Sequence, residues 1–304
     1  MGHSRTRGSI ETVSVEGRLD PRIRDLNIRG LRYRIYEWGR RSGQPVLLLH
    51  GWMDTGTTFR LLAHALGAEC HCLAPDWRGF GRSDRAPGGY WFADYLADLE
   101  ALLDELAPDQ AVTLVGHSMG GNVAGLYAGV RPQRVRRLVS IEGFGLAASD
   151  PREAPERYAR WLESLRWPPR PRRFNDYAAL AEHLLRRQPG LTRERAEALA
   201  HDWAYRSVDG VYLRGDSAHK RPNPVLYRLE EAMACWRRIT APVLWVYGAN
   251  SAYVARLRAL GDWAERTGCF RDFREASIPE AGHAVHYEQP QALARLIGPF
   301  LSAP

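Results

Sequence analysis

Cysteine is scarce: Cys70, Cys72, Cys235 and Cys269 are the only four in 304 residues. They form no Cys-x-x-Cys pair and no His/Cys group with zinc spacing, so neither a disulfide framework nor a metal site is expected. Reduced thiols in a cytoplasmic protein fit this usage better. Lysine is scarcer still. Lys220 stands alone, and arginine carries almost all of the positive charge behind a net +7. No apolar run is long enough to span a bilayer, so no stable membrane insertion is expected. The opening "MGHSRTRGSIETVSVEG" lacks the apolar core and the cleavage site of a signal peptide. Gly2 and Thr6 match a myristoylation pattern that is too short to carry weight. The arginines are dispersed except in "RWPPRPRR", Arg166 to Arg173, which reads as a solvated, proline-stiffened surface. No aromatic-basic motif accompanies it, so nucleic acid is not an expected partner. No cofactor-binding motif is present, and none is expected.

What is present is ordinary globular composition, 45% hydrophobic and 25% charged, arranged as strands alternating with helices. "LNIRGLRYRIYEWG", Leu26 to Gly39, alternates with period two around Arg29-Gly30 and reads as a hairpin. "PVLLLHG" is a short continuous apolar run, as a strand covered on both faces would be. "WFADYLADLEALLDEL" places Leu96, Leu99, Leu102, Leu103 and Leu106 on one side of a helix. "VRRLVSIEGFG", "APVLWVYGANS" and "FREASIPEAGH" read as further strands with their loops. Strands separated by helices imply parallel crossovers, hence an α/β, doubly wound sheet. From 146 to 238 the rhythm changes to prolines, arginines and helical patterns. We read residues 1–145 and 239–304 as two parts of one α/β core, with 146–238 a helical cap inserted between them.

The sharpest motif is Gly116-His117-Ser118-Met119-Gly120, a G-x-S-x-G between the apolar strand "AVTLV" and a helical pattern. Such a turn lifts one hydroxyl off the sheet edge and sets it at a helix N-terminus, where N–H groups favour developing negative charge. A serine hydroxyl needs a base. His283, directly after a strand and a glycine, is the candidate, because loops at the strand C-termini gather on one edge. His286 is the competitor, expected instead to cap or pack, and His117 is expected to be structural. The imidazole needs an acid. The loop after "PVLWVYG" offers Ala249-Asn250-Ser251-Ala252 and no carboxylate, whereas "VRRLVSI" ends in Glu142. A bare carboxylate closing an apolar strand is costly unless paired, so Glu142 is the expected acid. Asp76 and Asp84 are expected to organise turns, and Asp54 to bond loop backbone. "HGW" ends the strand beside the serine's, so the N–H groups of Trp52 and Met119 can form a two-donor oxyanion hole. Trp52, Phe144, Trp161 and Tyr205 are the expected substrate-lining aromatics.

"HGW", "DWRGFGRSD", "GHSMGG" and "GHAVHYEQP", in this order, resemble the α/β-hydrolase superfamily, and "HGWMDTGTTF" with "SIEGFGL" resembles its serine hydrolase-like branch. The resemblance implies an eight-stranded, mostly parallel sheet with a cap after the sixth strand, Ser118 as nucleophile and His283 as base. Ser251 stands where many members carry the acid, and some carry it where Glu142 stands. The expected activity is hydrolysis of a carboxylic ester, thioester or related acyl bond in a small, partly aromatic or anionic substrate. A homodimer is compatible with the sequence. Two other readings stay open: a cofactor-independent oxygenase on the same scaffold, and a non-catalytic ligand-binding protein.

Overall fold

Arg29 and Gly30, at φ +49° and +80°, turn the chain between β1 (Arg22–Ile28) and β2 (Leu31–Trp38), which pair antiparallel as the alternation predicts. The computed structural model describes residues 20–188 and 190–303. The readings placed on the first nineteen residues, Gly2 and Thr6 included, lie outside these.

The chain continues through β3 (Pro45–Leu49), α1 (Arg60–Leu66), β4 (His71–Pro75), α2 (Phe92–Leu106), β5 (Val112–His117), α3 (Met119–Val130) and β6 (Val135–Ile141). Residues 146–228 follow, with α4 (Ala154–Arg166), β7 (Arg173–Phe174), α5 (Tyr177–Arg187), α6 (Arg193–Trp203), β8 (Ala204–Ser207) and β9 (Gly210–Leu213). After α7 (Leu229–Trp236) come β10 (Val243–Gly248), α8 (Ala252–Arg258), α9 (Trp263–Thr267), β11 (Phe273–Ile278), α10 (Val285–Glu288) and α11 (Pro290–Ser302). Eight strands form one sheet in the order β1-β2-β4-β3-β5-β6-β10-β11. β2 pairs antiparallel with β1 and β4, and the remaining neighbours are parallel.

β3 shows why its run is continuously apolar. Leu47 and Leu49 face one core, with Leu99, Leu102 and Leu103 of α2 and Val123 of α3. Val46 and Leu48 face the other, with Leu62 of α1 and Leu293 and Ile297 of α11. A strand covered on both sides has no polar face to keep. Each fully buried leucine contributes roughly 1.5–3 kcal/mol, so the two layers hold the sheet rim stiff beneath the site.

The region between β6 and β10 differs from the sequence expectation in two respects. It is not purely helical: β7, β9 and β8 form a three-stranded antiparallel sheet. These strands are two to four residues long, too short to leave a period in the sequence. The chain also rejoins the core before residue 239. Leu229, Met233 and Trp236 of α7 lie in the same buried cluster as Val123 and Tyr127 of α3.

Candidate active site

Ser118 occupies the bend between β5 and α3, at φ 51° and ψ −113°. A non-glycine residue in that conformation costs about 1–3 kcal/mol and persists only where its surroundings enforce it. They do so through close approach. A Cβ on Gly120 would lie 2.1 Å from the Leu49 carbonyl oxygen, so only glycine lets α3 start against β3. The Ser118 N–H donates to the Ile141 carbonyl at 2.8 Å, tying the bend to β6.

His283, in the loop between β11 and α10, brings Nε2 to 3.1 Å from Ser118 Oγ. Its Nδ1 lies 2.5 Å from Oε2 of Glu142, which follows β6. Glu142 is fully buried and accepts two further bonds, from the Gly248 N–H at 2.8 Å and from the Ser251 hydroxyl at 2.7 Å. Donors thus meet the carboxylate from three sides. It accepts a hydrogen bond from Nδ1–H, which leaves Nε2 as the acceptor for the serine O–H. The three residues 118, 142 and 283, far apart in the chain, thus form one hydrogen-bonded series.

The His283 loop is clamped by Glu288, which sequence reasoning did not assign, and by His117. Glu288, 1% exposed, accepts from the amides on both sides of the histidine, Gly282 N–H at 2.7 Å and Ala284 N–H at 3.1 Å. His117 donates from Nε2 to the His283 carbonyl at 2.9 Å. Burial holds the His117 imidazole well below its ordinary range, so it is neutral and structural, as expected. His286 is not the base. It is fully buried, with Nε2 3.2 Å from Thr58 Oγ1 and 3.3 Å from Asp54 Oδ2, and burial pushes its pKa down to about 3.

The histidine that ends β3 is explained by its two nitrogens. His50 Nε2 accepts from the Trp77 N–H at 2.9 Å, so Nδ1 carries the proton and donates to the Gly51 carbonyl at 2.8 Å. The peptide after Gly51 is trans, so pinning its carbonyl turns the Trp52 N–H the opposite way. Gly51 itself packs onto the nucleophile's turn: a Cβ there would sit 2.8 Å from His117 Nδ1 and 3.3 Å from Ser118 Cβ. Asp54 accepts from Thr55 N–H, Thr58 Oγ1 and Trp203 Nε1, joining this loop to the end of α6. Asp76 accepts from the Gly56 and Arg82 amides, and Asp84 from the Arg32 N–H, the turn-organising roles expected of them.

Of the four expected lining aromatics, two line a cavity of about 230 Å³ beside the bend. Trp52 and Trp161 do so together with Met119, Trp91 and Tyr95. Phe144 does not serve this purpose. It is 3% exposed and packed among Trp236, Trp245, Trp263 and Phe270, because the Glu142-Gly143 bend carries it into the interior. Tyr205 is also elsewhere. It lies on β8, stacked on Tyr212 with Arg214 over its ring, and the sheet holding it was not legible in the sequence. Asp54, His117 and His286 could together offer three ligand atoms to a metal ion, all buried.

The chain matches the alpha/beta hydrolase fold family over residues 44–290. It is 27% identical over 283 residues to a "Serine hydrolase-like protein" of Danio rerio, covering 87% of this chain and 83% of that one. It is 26% identical over 280 residues to the "2-(acetamidomethylene)succinate hydrolase" of Mesorhizobium japonicum, covering 92% and 95%. Among solved structures, a "Thioesterase Domain From Curacin Biosynthetic Pathway" superposes with a TM-score of 0.81 at 27% identity, covering 91% of this chain and 99% of that one. The fold, the match over most of the chain and these relatives place it: the chain belongs to the α/β-hydrolase fold family and is a hydrolase.

Proposed function

We propose that the protein cleaves a carboxylic ester, thioester or related acyl bond of a small molecule through an acyl-enzyme on Ser118. The observation that carries this is the unbroken series Ser118 Oγ–His283 Nε2 and His283 Nδ1–Glu142 Oε2. His283 takes the serine proton as Oγ attacks the carbonyl carbon, and Glu142 steadies the imidazolium that results. The carbonyl oxygen gains charge between the N–H groups of Trp52 and Met119. The first is aimed by the pinned Gly51 carbonyl and the second belongs to the start of α3. His283 hands its proton to the leaving group, then takes one from water, which attacks the acyl carbon and frees Ser118. The region 146–228 acts as the cap over the site, with Trp161 of α4 lining the same cavity as Trp52. A solved relative titled a thioesterase domain supports acyl transfer. The free cysteines fit a cytoplasmic setting, and no helix among the described residues is long and apolar enough to cross a membrane.

The experiment is a panel of p-nitrophenyl esters and acyl thioesters of graded length, assayed with the wild type and with Ser118→Ala. The reading requires turnover by the wild type and a loss on the order of 10⁴-fold or more in the variant. Equal rates in the two would refute it.

A further inference from the structure

The cavity beside Met119 and Trp52 carries an unusual charge. Its walls are mostly apolar or aromatic: Trp52, Trp91, Phe92, Tyr95, Trp161 and Leu165. Arg221 also lines it. Other partly buried guanidiniums have an acid, a carbonyl or, for Arg214, an aromatic face to meet. Arg78 is held by Asp98, Arg266 by Asp262 and the Phe144 carbonyl, and Arg195 by the Glu288 carbonyl. Arg221 has no side-chain hydrogen bond and no ion pair among the described residues, and its Nε is shut off from solvent without a partner. Among the described residues no aspartate or glutamate lines the cavity. A buried, unpaired donor on a fixed positive charge is costly, and the cost is removed by an acceptor that arrives with a ligand.

We propose that Arg221 is the anion anchor of this cavity, and that the substrate is a compact ester or thioester whose apolar, ring-bearing body ends in a carboxylate. The inference rests on the proposed acyl-transfer reading for where the scissile bond lies, but not for the anchor itself. The chemistry follows from the walls. Aromatic faces take a flat or cyclic apolar group, and the guanidinium takes the carboxylate as a planar, two-toothed partner. Size follows from the space. At about 230 Å³ the cavity is smaller than the roughly 300–1,000 Å³ of sites that hold drug-sized ligands, which suits a compact group. Orientation follows from the neighbours. Met119, which directly follows Ser118 in the chain, and Arg221 of the inserted region line the same cavity, so a carboxylate held by Arg221 leaves the ester for the Met119 side. In solution the guanidinium also attracts such a monoanion towards the cleft.

The test is equilibrium binding to Ser118→Ala protein, which leaves the ester intact, using benzyl hydrogen glutarate and its neutral primary-amide counterpart. The carboxylate should bind at least about tenfold more tightly than the amide. Arg221→Met should erase that preference, and Arg221→Lys should keep part of it. Should Arg221→Met fold poorly by its thermal melt, Arg221→Gln serves in its place. No preference in the parent protein, or one that survives loss of the guanidinium, overturns the anchor. Fluorophosphonate labelling of the wild type is run alongside. Absent labelling with the preference intact refutes the serine chemistry and leaves the anchor standing. Labelling without the preference refutes the anchor alone.

Discussion

The Ser251 hydroxyl donates to Oε2 of Glu142 at 2.7 Å, from the loop after β10 to the residue after β6. Oε2 is also the oxygen that meets His283. The loop after β10 thus supports, through Ser251, the carboxylate proposed as the acid and delivered from the neighbouring strand. In the same position Ser251 accepts from the Val254 N–H and caps α8, so its place is fixed from both sides.

Exchange of the acid is therefore testable. Glu142→Gln should lower kcat by about 10²–10⁴-fold, since the neutral amide can present the wrong hydrogen-bonding face to Nδ1. In that background Ser251→Asp sets a carboxylate beside the same imidazole and should recover at least tenfold of the loss. Stopped-flow acylation rates of the single and double variants check this. No recovery means that the acid cannot act from the β10 loop.

His50 aims a backbone amide rather than touching substrate. His50→Leu removes the bond to the Gly51 carbonyl and leaves the Trp77 N–H without its acceptor. Stability should fall by about 1–3 kcal/mol. Loss of one oxyanion donor costs on the order of 10²–10³ in kcat, and a misaimed Trp52 amide should cost a comparable factor with KM little changed. Steady-state kinetics together with a denaturant melt separate the two effects. A fall in stability with kcat preserved would contradict the role.

Acid pH should destabilise the fold from within. Burial holds His50 and His219 at about 4, His286 at about 3 and His117 well below its usual range. Each is neutral when folded and takes up a proton near pH 6.5 when unfolded. The unfolded chain therefore binds more protons below that pH, and stability falls as pH drops through 6.5 towards 4. Each imidazole loses roughly 1 kcal/mol over the first unit. Asp76, raised by burial to about 6, works the other way, and so do Asp54 and Asp202. The four imidazoles outnumber these three acids, and Asp76, at about 6, is still mostly ionised just below pH 6.5. Thermal melts should show Tm several degrees lower at pH 5.5 than at pH 7.5, and a flat or rising Tm would contradict this.

Much of the site was legible because its residues sit where period and punctuation change. Ser118 interrupts a strand–helix junction with glycines, Glu142 closes an apolar strand, and His283 follows a strand and a glycine. The supporting contacts were not legible. Ser251, Glu288 and His50 look like ordinary loop and helix residues until tertiary structure sets them against the charged series. Phe144 and Tyr205 were expected at the cavity because aromatic residues near a site suggest lining, yet packing claimed one and a short sheet the other. β7, β8 and β9 are held by cross-strand pairing and by burial of Phe174 and Val211, not by any periodic signal of their own.

The clamp on the base predicts a variant far from substrate contact. Glu288→Ala leaves the Gly282 and Ala284 amides without their common acceptor. The freed loop should lower kcat by about tenfold to a hundredfold and cost roughly 1–3 kcal/mol. Glu288→Gln, which keeps one acceptor oxygen, should recover part of both. Rates for the two variants at equal folded fraction check the claim, and identical behaviour of Ala and Gln would argue for packing alone.

The most direct measurement is intact-protein mass spectrometry after treatment with a fluorophosphonate, with peptide mapping of the adduct. The wild type should gain a single adduct on Ser118, and Ser118→Ala, with an unchanged melt, should gain none. His283→Ala should slow labelling by several orders of magnitude. An adduct formed equally well without Ser118, or at the wild-type rate without His283, would contradict the assignment.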